Sequence, residues 1–378
     1  MRILTFLHSF EPGGVERVAL RLVRHWRGQG VDAPLFMGRT DGAMRDELAQ
    51  GLDHDGPRRP SLPVGWCETL WMIATLPGAI RRLRPDVLFC AGNSYAVVAI
   101  AMKLLLGRRC PPIVAKISND LERRDMPWAG RFCYRLWLRV QGRFIDRFVA
   151  MAPGLEREIA RLIRPRASAA IIADPALTLA QIDRLPEPQA QGDGRHYVAV
   201  GRLARQKNFQ LMLDAFARGA GPLDRLTIYG DGPEWRALQK QAARLGIAGQ
   251  LCLPGHVPDP ASLIGRHDVF LLSSDFEGVP AVILEALAAG LPIVATRCSA
   301  AMDGLLLQGM LARLVEPGDH AGFAEALANP RPQDRAAART LARRFTLEAA
   351  SPAYLDTFAA AIGRAAPSPV TADKMSLI

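Results

Sequence analysis

The stretch VFLLSSDFEGVPAVILEALAAGLPIVAT, residues 269–296, decides the fold. It opens on the apolar run Val269–Leu272 and closes on a second one, Ile293–Ala295. Between them Gly278 frees a loop, Pro280 suits a first helical turn, and Gly290 stops the helix. A strand, a helix and a strand in that order form a parallel unit. Strands that are apolar throughout belong to a sheet covered on both faces. The alternation continues outward, with strand-like runs at Ile3–Leu7, Val87–Cys90, Ile113–Ile117, Val149–Met151, Tyr197–Val200 and Leu226–Tyr229. Helical spacing separates them. In residues 15–29, for example, Val15, Val18, Ala19, Leu22, Val23 and Trp26 share a face.

The chain has 378 residues, 49% of them hydrophobic, too many for one ordinary core. The alternation stalls at 174–194, where Asp174-Pro175, Pro186-Glu187-Pro188 and a Gly/Gln-rich run supply turn chemistry. The reading is therefore an α/β chain of two units: 1–174, a linker at 175–194, and 195–350. A tail over 367–378 is expected to fray.

Charged residues at 22% describe a globular chain. The net charge of +10 is uneven: residues 1–174 hold 27 Lys+Arg against 17 Asp+Glu, and the remainder holds 20 of each. The first half is thus expected to meet something anionic. Six scattered cysteines, with no CxxC pair, argue against a disulfide framework or zinc site and for reduced thiols. The opening MRILTFLHSF lacks the apolar core and cleavage site of a signal peptide, and no run spans a bilayer. A cytoplasmic location is expected.

Three motifs carry chemistry. Gly13-Gly14, between the first strand and its helix, allows close backbone approach and offers helix-start N–H groups to an anion. It is not the GxGxxG fingerprint, so no dinucleotide cofactor is implied. Arg202, in Gly201-Arg202-Leu203, and Lys207 follow the first strand of the second half, at the sheet edge where parallel sheets bind ligands. A guanidinium and an ammonium there can clamp a diphosphate; solvated surface cations are the alternative. Glu277, on the loop Glu277-Gly278-Val279-Pro280, and Glu285, on the second turn of the helix, can accept hydrogen bonds from vicinal diols. The alternative is that both acids satisfy the helix dipole.

PGGVER at 12–17, GRLARQKN at 201–208, YGDGPEW at 229–235, GHVPD at 255–259 and two glutamates separated by seven residues follow one another in the chain. In this order the chain resembles a family 4 retaining glycosyltransferase of the GT-B architecture, two Rossmann-like parallel-sheet domains facing a cleft. The resemblance covers most of the chain. It implies a nucleotide-diphosphate sugar donor, UDP- or GDP-linked, and a glycan or lipid-linked acceptor held by the first domain. It further implies metal-independent transfer with no bound cofactor, and a terminal helix, 351–366, that crosses back to the first domain. By position, Gly13 and Gly14 would offer backbone N–H groups to the phosphates, and Arg202 and Lys207 would neutralise them. Glu285 would hold the ribose. Glu277, with the backbone of Gly278, Val279 and Pro280, would hold the sugar, and His256-Val257 would lie against the base.

Many members carry a sugar-contacting histidine after the strand matching Ile113–Ile117, where this chain has Asn119 and Asp120. Asp120 could serve as a base for the acceptor hydroxyl or cap the next helix. His8 could face the cleft or be satisfied locally. Asp53-His54-Asp55 spells a metal-binding DxD, but no strand leads into it and it reads as solvated loop. In residues 127–148, Arg131, Arg135, Arg139, Arg143 and Arg147 recur every four positions beside Trp128, Phe132, Leu136, Val140, Phe144 and Phe148. This is either a core-packed helix with a solvated back or a surface element for anionic membrane, which would make the protein peripheral on the inner face. A GT-B epimerase or phosphorylase would share the fold but not the whole motif order. No nucleic-acid partner is expected, since no zinc finger, RNP-type aromatic sheet or basic tail occurs.

Overall fold

A computed structural model describes residues 1–10, 13–42, 45, 51–57, 67–118, 121–122, 126–185, 193–257 and 260–363. Asn119 and Asp120, Pro12, the linker residues 186–192, and the tail lie outside the described residues.

The first half builds a six-stranded sheet from β1 (Ile3–Leu7), β2 (Leu35–Met37), β3 (Val87–Cys90), β4 (Ile113–Ile117), β5 (Arg147–Ala150) and β6 (Ala170–Ile171). Its longer helices are α1 (Gly14–Gly28), α2 (Glu68–Leu83), α3 (Ala96–Leu106) and α4 (Trp128–Phe144). The second half builds another six-stranded sheet from β7 (His196–Val200), β8 (Arg225–Tyr229), β9 (Leu251–Gly255), β10 (Val269–Leu272), β11 (Ile293–Thr296) and β12 (Arg313–Val315). Its longer helices are α5 (Phe209–Gly219), α6 (Trp235–Arg244), α7 (Ala281–Ala289), α8 (His320–Ala328) and α9 (Arg335–Arg343); α10 (Leu347–Ala361) follows.

Every strand pairing is parallel. The orders are β2-β1-β3-β4-β5-β6 and β12-β11-β10-β7-β8-β9. In each sheet the chain winds one way, returns, and continues on the other side of its first strand. The switch points therefore lie between β1 and β3 and between β7 and β10, and the crevice beyond the carboxyl ends of those strands is where open α/β sheets bind ligands. The motif loops stand at those two places.

One apolar core serves the first sheet, and two cover the faces of the second. Leu347, Ala350, Tyr354 and Phe358 of α10 belong to the first core. Trp26 and Phe89 meet Phe358 edge to face at 5.4 and 5.5 Å. Such pairs are worth about 0.5–1.5 kcal/mol beyond the area they bury. Where the chain passes between the halves, its two crossings run side by side. Leu177 receives an N–H bond from Leu347 at 2.9 Å and donates its own to Phe345 at 3.1 Å. Beside them Lys116 of β4 donates to Asp174 at 2.5 Å, with both side chains buried. Within the stretch read as linker, Leu179–Arg184 forms a short helix started by a capping box of Thr178 and Gln181.

Two local expectations need correction. The four-residue repeat of 127–148 outruns its helix: α4 ends at Phe144, and Arg147 and Phe148 lie in β5. Asp55 is more than solvated loop. Its backbone bonds to Leu35 and Met37 along the sheet edge, and its carboxylate pairs with Arg82.

Candidate active site

Beyond β7 the chain runs through Gly201-Arg202-Leu203 into a tight turn at Arg205–Lys207. Asn208 takes a left-handed conformation, φ 45°, and its side chain caps α5 by accepting the Leu211 N–H. Asn tolerates that conformation because its short amide bonds locally. The turn sends Lys207 back over the strand end. A Cβ on Gly201 would stand 3.2 Å from Lys207 Cε, so glycine is what lets the lysine stem lie there.

Lys207 Nζ donates to Glu277 Oε1 at 2.5 Å, and Ser274 Oγ donates to the same oxygen at 3.0 Å. Both members of the pair are about one-sixth exposed, at 19% and 15%, so solvent screens them only in part. The loop carrying Glu277 is fastened along its length. Ser273 Oγ donates to the Lys207 carbonyl at 2.9 Å, Thr296 Oγ1 to the Ser274 carbonyl at 2.6 Å, and the Glu277 N–H to the Cys298 carbonyl at 2.9 Å. Across the turn, Asn208 Nδ2 donates to Asp275 Oδ1 at 2.7 Å and Gln206 Nε2 to the Phe276 carbonyl at 2.7 Å. The cation and the carboxylate are thus preset by strand ends and loops rather than by flexible surface chains. Burial, then the Glu277 charge, pushes the Cys298 thiol up to about 12, so it is no thiolate at neutral pH.

Arg202 is exposed beside this pair and meets no carboxylate among the described residues. Gly278 and Pro280 are buried. Val279 packs against the cores of both halves. Pro280 stands one position earlier than expected, as the residue flanking α7 rather than within its first turn. Glu285, on the second turn, is buried at 5% exposure. After β9, His256 is exposed and Val257 half-buried, and the His256 N–H donates to Asp231 Oδ2 at 2.9 Å. The loops after β7 and β8 touch closely: a Cβ on Gly230, φ 140°, would fall 2.0 Å from the Gly201 carbonyl.

At the other switch point, Gly13 flanks α1 in extended conformation and Gly14 is its exposed first residue. A Cβ on Gly14 would meet nothing within 4 Å. The protein itself does not require glycine there, and the missing side chain leaves open room before the helix N–H groups. Glu16 turns its carboxylate toward Gly13 and accepts the Tyr95 hydroxyl at 2.6 Å. His8 stacks on Tyr95 with ring centres 4.8 Å apart. Burial, then the Arg39 charge, lowers its pKa, so the ring is neutral at pH 7, and its buried Nδ1 has no hydrogen-bond partner among the described residues. Asn93 Oδ1 accepts the Ser118 N–H at 2.8 Å, tying the ends of β3 and β4 together.

The structure therefore joins Lys207 to Glu277 directly and sets Arg202 at the same strand end. Gly13, Gly14 and His8 gather at the other sheet. Sequence reasoning missed Ser273, Ser274, Thr296, Asp231, Glu16 and Tyr95 as supports. The serine pair before Asp275 was the one readable signal, since small hydroxyl residues at a strand end commonly tie down loop backbone.

Residues 12–173 match the family described as Glycosyltransferase Family 4, and residues 194–329 match Glycosyl transferases group 1. The chain belongs to these glycosyltransferases. Among curated relatives of this family, the lipopolysaccharide core biosynthesis glycosyltransferase LpsE of Rhizobium meliloti (strain 1021) is 27% identical over 366 residues, covering 94% of this chain and 98% of that one. The lipopolysaccharide 1,6-galactosyltransferase of Escherichia coli (strain K12) is 22% identical over 320 residues, covering 82% and 83%. Among solved structures, Anabaena Alr3699/HepE in complex with UDP-glucose superposes with a TM-score of 0.73 at 19% identity, covering 95% of this chain and all of that one. The apo lipopolysaccharide outer core galactosyltransferase WaaB gives 0.71 at 18%, covering 95% and 99%. The architecture of this glycosyltransferase is GT-B.

Proposed function

We propose that this glycosyltransferase moves a hexose-type sugar, with retained anomeric configuration and without a metal ion, from a UDP-linked donor to a lipid-linked saccharide at the inner face of the membrane. The observation that carries this reading is the preset Lys207–Glu277 pair with exposed Arg202 at the same strand end, at the switch point of the second sheet. Arg202, Lys207 and the Gly14 N–H surround the diphosphate, and the two cations supply the positive charge that a divalent ion would otherwise bring. Glu285 takes the ribose hydroxyls, and Glu277 takes those of the sugar. The Glu277 oxygen shared by Lys207 and Ser274 suits a hydrogen-bond acceptor rather than an attacking nucleophile.

In the transfer step the bond from the anomeric carbon to the phosphate oxygen breaks, and its electron pair leaves with UDP. The acceptor hydroxyl bonds to the same face of the sugar, and its proton passes to the departing phosphate oxygen. The choice of uridine follows the Anabaena neighbour solved with UDP-glucose. The lipid-linked acceptor follows relatives named for lipopolysaccharide synthesis.

A thermal-shift panel of UDP, GDP and their sugars, with and without EDTA, tests the donor. UDP-sugars should raise the melting temperature with or without chelator, because a ligand bound only to the native state stabilises it. A shift that EDTA abolishes, or none with any nucleotide, would refute the reading.

A further inference from the structure

The loop assigned to the diphosphate has a negative charge of its own beside it. Glu16, half-buried, is the third residue of α1, and its Oε2 stands 2.0 Å from where a Cβ on Gly13 would lie. The same position on Gly14, the next residue, has nothing within 4 Å. The carboxylate is thus kept on the Gly13 flank, and the Gly14 flank is left clear. A carboxylate in the first turn of a helix is attracted by all of the unpaired N–H groups there. Its confinement to one side needs a cause.

The cause is Tyr95. Its hydroxyl donates to Glu16 Oε1 at 2.6 Å from the neighbouring strand exit. Tyr95 closes a tight turn, Asn93–Tyr95, just beyond β3, and is 1% exposed. Two other rings fix it in place, Phe6 edge to face at 5.8 Å and His8 stacked at 4.8 Å. Gly92 lets that turn lie against α1, since a Cβ there would fall 2.7 Å from Val15 Cγ1. Burial, then the Glu16 charge, raises the pKa of the phenol, so the hydroxyl keeps its proton and remains a donor. A helix cap has no need of this arm, because a carboxylate at the third helical position reaches back to the helix start unaided. Nor does the hydroxyl neutralise Glu16. It fixes where the charge stands and leaves the charge in place.

We propose that Tyr95 is a positioning residue for donor binding, which holds the Glu16 carboxylate aside so that the diphosphate reaches the Gly14 N–H. Untethered, the carboxylate swings to the Gly14 flank and takes the helix-start N–H groups itself, one anion in the place of another. In the empty site the tethered carboxylate offsets the positive end of α1, which favours the helix. When the donor enters, the carboxylate already stands on the far side of the loop and does not have to be displaced. A neutral amide at this position accepts from Tyr95 as well but has no charge with which to compete for the N–H groups. The contribution of Tyr95 therefore depends on the charge at residue 16, which distinguishes it from a residue that only fills the core. The inference rests on the proposed donor reading, because it concerns the same Gly14 N–H.

Titration calorimetry of UDP tests this on four full-length proteins: the parent, Tyr95→Phe, Glu16→Gln and the double variant. Phe keeps the ring packing, and Gln keeps an acceptor oxygen for the hydroxyl. Tyr95→Phe should weaken UDP binding about tenfold, because a freed carboxylate has to be displaced. Glu16→Gln should tighten it about threefold by removing a like charge near the phosphates. In the Glu16→Gln background, Tyr95→Phe should change UDP affinity less than about twofold. The defect of Tyr95→Phe relative to the parent should also shrink in about 0.5 M salt, which screens charge and spares packing. Equal weakening in both backgrounds would make Tyr95 a support of the fold alone and overturn the proposal. So would a Tyr95→Phe protein that binds UDP like the parent, or a Glu16→Gln protein that binds it less tightly. Circular dichroism melts report loss of fold separately, and Glu16→Gln tests the charge even where removal of the buried hydroxyl lowers stability. A parent that binds no UDP refutes the donor reading itself, and the inference falls with it.

Discussion

Replacing Glu277 by Gln separates two demands that the resting site holds together. The carboxylate accepts from Lys207 at 2.5 Å and from Ser274 at 3.0 Å, so its negative charge sits on the ammonium assigned to the diphosphate. Gln keeps the shape and one acceptor oxygen but removes the charge. For bare UDP, the change deletes a like charge near the phosphates. A unit charge about 8 Å away at an effective dielectric of about 20 amounts to roughly 2 kcal/mol, which salt reduces to about 1. UDP should therefore bind about fivefold more tightly. For the complete donor, the sugar loses a charged acceptor whose hydrogen bonds are worth about 1.5–3 kcal/mol, so kcat/KM should fall roughly tenfold to a hundredfold. Titration calorimetry of UDP and initial rates with the UDP-sugar read the two effects, which are expected to have opposite signs. If both ligands weaken in parallel, Glu277 merely holds its loop. If turnover is unchanged, the sugar does not reach Glu277. Either result refutes the reasoning.

Gly14→Ala should leave the melting temperature unchanged or slightly higher, because alanine favours the helix and meets nothing within 4 Å, while weakening UDP binding about tenfold. Circular dichroism melts beside UDP titrations decide it. Asp174→Asn should cost about 3–5 kcal/mol, by denaturant titration, since it strands the Lys116 ammonium, 3% exposed, without a counter-charge. Lys116→Met with Asp174→Leu should recover most of that loss. His8 and His267 both have pKa values lowered by burial. The unfolded chain then binds the extra protons first, so stability should fall as pH drops below about 6.5 and level off below the folded-state values. His8→Phe, which keeps the stack on Tyr95, should flatten that slope in melts between pH 5 and 8.

The interior of each sheet was legible and its borders were not. The runs at Ile3–Leu7, Val87–Cys90, Ile113–Ile117 and Val269–Leu272 are strands with those same bounds, because a strand covered on both faces is apolar at nearly every position, buried Thr5 and Lys116 being the exceptions here. The four strands with no such signal, β2, β6, β9 and β12, are the four sheet edges. They are short or half exposed: β9 reads Leu251-Cys252-Leu253-Pro254-Gly255, with every second residue exposed. Thr178 and Gln181 spelled a capping box inside a stretch read as linker, a local signal outweighed by the surrounding Pro and Gly. At the candidate site, the cations and carboxylates could be singled out by type and position. Their pairing could not: Lys207 and Glu277 are 70 residues apart and Tyr95 and Glu16 are 79 apart, and only the strand order brings them together. In α4 the repeat alone could not tell which apolar residues face the core. Exposure of Trp128, Phe132 and Leu136 depends on how the helix is rolled on the sheet.

The most direct measurement is a crystal structure with an intact UDP-sugar. The diphosphate should lie within hydrogen-bond reach of the Arg202 guanidinium, the Lys207 ammonium and the Gly14 N–H, with a sugar hydroxyl on Glu277. A nucleotide bound elsewhere, or held there with those three groups turned away, would contradict the account.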